Sequence, residues 1–135
     1  MGLTRVNASS LPASPDGLKD RLAKAGDSTY LFFIVDNDAA TGQPWCPDVR
    51  AALPVVEKYF AQHPNLDISA VSVGSRAAWK DPTTSKLWRS TWGIGAVPTL
   101  VKYTRSGDGE EILQEQLVET DAAVEAKLAD FTKSA

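Results

Sequence analysis

The chain has 135 residues, enough for one domain to bury a core without disulfides or a structural metal. Its 14 basic and 17 acidic residues leave a formal charge of −3, and the basic residues are scattered, which argues against nucleic acid as a partner. One cysteine and one histidine exclude an internal disulfide and a zinc site built on cysteine and histidine spacing, and no apolar run approaches the roughly 20 residues that span a bilayer.

The segment from Met1 to Val6 lacks the apolar stretch of a secretory signal, so a cytoplasmic location is expected. Leu3 to Asn7 reads as a short first strand. Ser14, Pro15 and Asp16 mark a helix start, with Ser14 as cap and Pro15 in the first turn. Leu18, Leu22 and Ala25 follow at helical spacing, and Gly26 closes the helix. Tyr30 to Val35 is apolar at every position, the pattern of a central strand covered on both faces of an α/β sheet. Asp36 to Pro44 is a polar, turn-rich loop. Its acidic residues lack the spacing and glycine of an EF-hand calcium loop and are expected to form a solvated turn.

From Pro47 onward, Val49, Leu53, Val56 and Phe60, with Ala52 beside them, form the apolar stripe of a helix packed on a sheet. Pro54 in its interior is expected to bend it. His63, Pro64 and Asn65 end this unit, with His63 expected as a solvated loop residue. Leu66 to Val73 gives another strand, which a right-handed crossover lays parallel to the first long one. Asp81 and Pro82 are expected to start a short helix through Leu87 and Trp88, broken by Trp92 to Ala96. Val97 to Tyr103 and Glu110 to Gln114 read as an antiparallel hairpin around Ser106-Gly107-Asp108-Gly109. Thr120 is the expected cap of a last helix placing Val124, Leu128 and Phe131 on the sheet. Residues 1–135 form one domain, with no repeat and no linker.

The chemistry gathers at Cys46. A thiolate is the reactive form of cysteine, and the unpaired N–H groups of a helix amino terminus favour negative charge there. Asp48, on the same turn, opposes it by charge. By composition alone, a single cysteine in a cytosolic protein reads as a small buried hydrophobe. Its neighbours shift that reading.

Trp45-Cys46-Pro47-Asp48, the helix with Pro54-Val55-Val56, and Ala96-Val97-Pro98-Thr99-Leu100 resemble the thioredoxin superfamily. The loop before Cys46, the segment from Val73 to Pro82, and Val97 to Tyr103 are similar to one branch of it. That branch is the cytosolic thioredoxin-related protein of about 14 kDa, or thioredoxin domain-containing protein 17, family. The resemblance covers Tyr30 to Tyr103. It implies a thioredoxin fold, with a central mixed β-sheet flanked by helices on both faces. It also implies a cis bond before Pro98, which faces Cys46, with the Val97 backbone pairing to an extended substrate. Trp45, Pro47 and Asp48 would shape the site around the nucleophile.

The sequence departs from the family at Val49. Members acting as dithiol reductants carry Trp-Cys-Pro-Asp-Cys, so the resolving thiol is absent, and Val49 instead extends the apolar stripe of its helix. A second departure is Phe33, which stands where ordinary thioredoxins bury a carboxylate in the strand, so no proton relay is expected. The resemblance therefore implies a monothiol thiol–disulfide oxidoreductase. Cys46 would attack small-molecule or protein disulfides, or glutathione mixed disulfides, and an external thiol, with glutathione as the candidate co-substrate, would complete the cycle. No other cofactor, no metal, no membrane and no nucleic acid is expected. The alternative is a catalytically degenerate thioredoxin-like protein that binds, regulates or senses oxidation. Trp79, Trp88 and Trp92 are expected to pack, and Trp45 to wall the site.

Overall fold

The computed structural model describes residues 3–26, 28–107 and 111–133. Among these residues, five strands form one sheet in the order β1-β3-β2-β4-β5. They are β1 (Thr4–Val6), β2 (Ser28–Ile34), β3 (Ile68–Ser72), β4 (Thr99–Arg105) and β5 (Ile112–Val118). β1 and β2 run parallel to β3, while β4 is antiparallel to β2 and β5, so the sheet is mixed. The helices are α1 (Lys19–Ala25), α2 (Pro47–Ala61), α3 (Arg76–Lys80) and α4 (Glu125–Phe131).

β2 is central because all but its first residue are buried, and a strand covered on both faces must be apolar. Alternation sorts its side chains between two layers. The Tyr30 ring meets Phe60 of α2 and Phe131 of α4 edge-on, at 5.5 and 6.3 Å between ring centres. Phe33, on the opposite face, meets Trp88 and Trp92 at 5.9 and 6.1 Å. Trp79, Trp88 and Trp92 are all buried, which makes them packing residues. On α2 the stripe of Val49, Ala52, Leu53, Val56 and Phe60 is buried, together with Tyr59. Each large side chain in it contributes about 1.5–3 kcal/mol by leaving water. The helix runs without interruption through Pro54, which is exposed.

Several elements fall elsewhere than the sequence suggests. Ser14 precedes a 3-10 turn, Pro15–Leu18, but its hydroxyl makes no cap bond, and α1 begins only at Lys19. Gly26 does close α1, at φ +98°, with its N–H on the Leu22 carbonyl at 3.0 Å. A short helix that the sequence did not suggest, α3, comes before Asp81, where the Ser75 hydroxyl caps the Ala78 N–H at 3.1 Å. Asp81 ends that helix and opens the expected helical turns, its carbonyl accepting from the Ser85 N–H at 2.9 Å. Its carboxylate accepts from the Thr83 N–H at 2.9 Å, and this bond, with the Thr84 side chain, holds its carboxyl below the usual range. A π-helical turn, Leu87–Thr91, follows.

β5 continues to Val118, well past Gln114, because pairing with β4 extends along its whole length. Asp108, Gly109 and Glu110 of the expected hairpin lie outside the described residues. Thr120 does not cap the last helix. A 3-10 turn, Glu119–Ala123, comes first, and Val124 stands exposed at the helix cap while Ala122 and Leu128 fill the core. His63 is half-buried, not freely solvated, with its ring stacked on Tyr59 at 4.2 Å.

Candidate functional site

Cys46 is the N-cap of α2, in extended conformation with φ −94° and ψ 122°. Pro47 follows at the first helical position, where its fixed φ suits the turn and its missing N–H costs nothing. The Cys46 carbonyl accepts the first helical bond, from the Arg50 N–H at 3.1 Å. The thiol is half-buried and unbridged. It donates to the Val97 carbonyl at 3.8 Å, and the Val97–Pro98 peptide bond is cis.

The turn that carries Val97 is tied down by its neighbours. The Pro98 carbonyl accepts from the Glu119 N–H at 2.7 Å, and the Thr99 hydroxyl donates to the Ala96 carbonyl at 2.7 Å. Among the described residues, the Val97 N–H has no partner. Arg89 braces the segment from below. Its guanidinium stacks on Trp79 at 3.8 Å and donates to the Trp79 and Gly95 carbonyls at 3.2 and 3.3 Å.

The other wall is the loop leading into Cys46. It folds on itself through an Asn37–Pro44 bridge and an Asp38 N–H to Gln43 carbonyl bond of 2.7 Å. It is fastened to the end of β3 at Gly74, whose carbonyl accepts the Asp36 N–H at 3.1 Å and the Trp45 indole N–H at 3.0 Å. Gly74 has φ +108°, a conformation that favours glycine. Two guanidinium groups hold consecutive carbonyls just before the cysteine. Arg50 donates to Pro44 at 2.7 Å, and Arg76 donates to Trp45 at 3.2 Å while lying over the Trp45 ring at 5.4 Å.

Trp45, Cys46, Pro47, Asp48, Val97 and Pro98 thus lie where two chain segments meet at one end of the sheet. Trp45 and Asp48 are half-buried, Pro47 is exposed, and Val97 and Pro98 are buried. Val49 points inward: it is fully buried in the core, and its position carries no thiol. Phe33 is equally buried, and its environment is the two tryptophan rings. Sequence reasoning gave no role to Arg50, Arg76 or Arg89. A lone arginine has no local pattern, and only the folded chain brings these three to backbone carbonyls. Among the described residues, no group of His, Cys, Asp and Glu side chains could hold a metal ion, and no helix is long and apolar enough to cross a membrane.

A parallel βαβ unit followed by an antiparallel pair, with a cysteine opening the central helix opposite a proline turn, makes this a thioredoxin-fold protein. The solved structure of Trichomonas vaginalis thioredoxin matches it with a TM-score of 0.59 at 16% identity, covering 96% of this chain and 97% of that one. That likeness is one of fold. The thioredoxin domain of the thioredoxin domain-containing protein 17-like family matches residues 15–125, and the chain belongs to this family. A thioredoxin domain-containing protein of Schizosaccharomyces pombe is 37% identical over 118 residues, which are 86% of this chain and 93% of that protein. The thioredoxin-like protein Clot of Arabidopsis thaliana is 33% identical over 110 residues, covering 79% and 78%.

Proposed function

We propose that this protein is a cytoplasmic thiol–disulfide oxidoreductase of monothiol type, with Cys46 as its nucleophile. The observation that carries the reading is the position of Cys46 at the start of α2, 3.8 Å from the carbonyl that precedes the Pro98 ring. There a thiolate gains from the helix end. The N–H of Val97, the residue whose carbonyl Cys46 meets, has no partner among the described residues and is left to pair with an extended substrate. Trp45, Pro47 and Asp48 frame the approach, and Pro98 sets the far wall.

The first step is attack of the Cys46 thiolate on one sulfur of a disulfide. A new sulfur–sulfur bond forms to Cys46, the old one breaks, and the other sulfur leaves as a thiolate. Val49 cannot take the next step. An external thiol, glutathione in this reading, attacks the sulfur of the retained half in the mixed disulfide; the bond to Cys46 breaks, Cys46 leaves as thiolate, and the external thiol departs joined to the retained half. With a glutathione mixed disulfide as substrate, the products are the freed substrate thiol and oxidised glutathione. No metal enters either step.

The test is turnover of a glutathione mixed disulfide by the protein with glutathione in excess, compared with Cys46→Ser. Wild-type turnover is expected, and a rate equal to that of the serine variant would remove the catalytic reading. The burial of Val49 where a second thiol would complete the cycle favours one other reading, a degenerate sensor or binding protein. Such a sensor would gain a glutathione adduct on Cys46, seen as an intact-mass increase, without turning over.

A further inference from the structure

The two guanidinium groups beside Cys46 are exposed, and among the described residues neither forms an ion pair. An arginine side chain has five N–H donors in a rigid fork. Arg50 and Arg76 each spend one on a loop carbonyl, at Pro44 and Trp45, and the other donors have no protein partner among the described residues. The carboxylates of the same region form no ion pair with either arginine among the described residues. Asp36 accepts from the Ser72 hydroxyl at 2.6 Å, and Asp38 accepts from the Ala40 N–H at 2.7 Å. Asp48, on the first turn of α2, is the remaining carboxylate beside the thiol. With three carboxylates and two guanidinium groups in this region, it is the unused N–H donors of the arginines and not the net charge that single it out.

A half-free guanidinium is matched in shape and charge to a carboxylate, which it can hold through two parallel N–H bonds. The carbonyl bonds fix where these forks stand relative to the nucleophile, so little side-chain freedom is lost when a carboxylate arrives. We propose that Arg50 and Arg76 form a carboxylate-binding rim around Cys46, which selects disulfides carrying carboxylates near the sulfur–sulfur bond over neutral and cationic ones. This rests on the monothiol reading and names the substrate class of that same site. The covalent step is unchanged: Cys46 takes one half of the disulfide and the other leaves as a thiolate. The rim acts by raising the local concentration and fixing the orientation of the anionic disulfide.

Three disulfides of different charge test it: oxidised glutathione (anionic), hydroxyethyl disulfide (neutral) and cystamine (cationic). The rate of Cys46 adduct formation with each is followed by intact mass for the wild-type chain and for the double variant Arg50→Gln with Arg76→Gln. The neutral probe corrects each protein for any change in thiol reactivity or fold. At low salt the wild type should prefer oxidised glutathione to cystamine. The double variant should lower that ratio about tenfold, the size expected for two partly exposed charges. Raising salt from about 10 mM to about 1 M shortens the screening length from roughly 30 to 3 Å and should erase most of the wild-type preference. Arg50→Lys with Arg76→Lys should keep part of it. Adducts with all three probes and a ratio unchanged in the glutamine variant would overturn the rim and leave the monothiol reading standing. No adduct with any probe would overturn that reading, and the rim with it.

Discussion

At position 49 a single side chain separates two chemistries. Cys46 and Val49 lie at the cap and third residue of α2, a spacing that brings side chains within about 5–6 Å on one helix face. Val49 is fully buried, so Val49→Cys should fit with a stability loss of about 1 kcal/mol for the smaller side chain. Its thiol would attack the Cys46 mixed disulfide from within, at high effective concentration. The expected outcome is release of the bound half without added glutathione, measured as decay of the intact-mass adduct. An adduct as persistent as in wild type would show that residue 49 cannot reach Cys46. At this scale the sequence was informative: one cysteine, one missing partner and one proline turn fixed the reaction to consider. Arg50 and Arg76 were not legible in the same way. Their partners, Pro44 and Trp45, are reached from one turn along α2 and from beyond β3, a convergence that no local pattern encodes.

The elements read best where burial on two faces left little choice, and worst where tertiary pairing decided. β2 was plain because nearly every residue is apolar and buried. β5 was cut short because Gln114, Glu115 and Gln116 are exposed, and only pairing with β4 shows that the strand runs through them. The helical turns expected from Asp81 are present and run into the Leu87–Thr91 segment, but α3 just before them was missed. Ser75, six residues earlier, caps this five-residue helix, which is too short to show an apolar period in the sequence. Within α2, Pro54 is the one residue at odds with its element. It supplies no N–H to the helical ladder and its ring is exposed, so nothing in the core depends on it. Pro54→Ala should therefore raise the free energy of unfolding by about 1–3 kcal/mol, measured by urea denaturation. An unchanged midpoint would mean that the fixed backbone of proline in the unfolded chain offsets the missing bond.

Across the whole molecule, the antiparallel pairing of β2 with β4 sets Phe33 opposite Thr99, so the loop after β2 and the turn before β4 leave the sheet together. That is why Cys46 meets Val97, and it ties the site to the integrity of the central strands. The same strands carry a pH liability. Tyr103 is fully buried against Trp92, and its hydroxyl has no hydrogen-bond partner among the described residues. Burial pushes this phenol, and that of Tyr30, above the ordinary tyrosine range. Below about pH 10 both the folded and the unfolded chain keep these protons, and their contribution to stability is fully present. Above it the unfolded chain releases them first and binds fewer protons than the folded one. Stability therefore falls as pH rises, by up to about 1.4 kcal/mol per pH unit for each phenol, until the folded phenols titrate. Tyr103→Phe removes one of the two protons from this balance and a hydroxyl that lacks a partner. At pH 7 the variant should equal the wild type or exceed it by about 1 kcal/mol. Urea midpoints taken from about pH 9 to 11.5 should then decline less steeply in the variant. Parallel declines would place the alkaline sensitivity outside Tyr103.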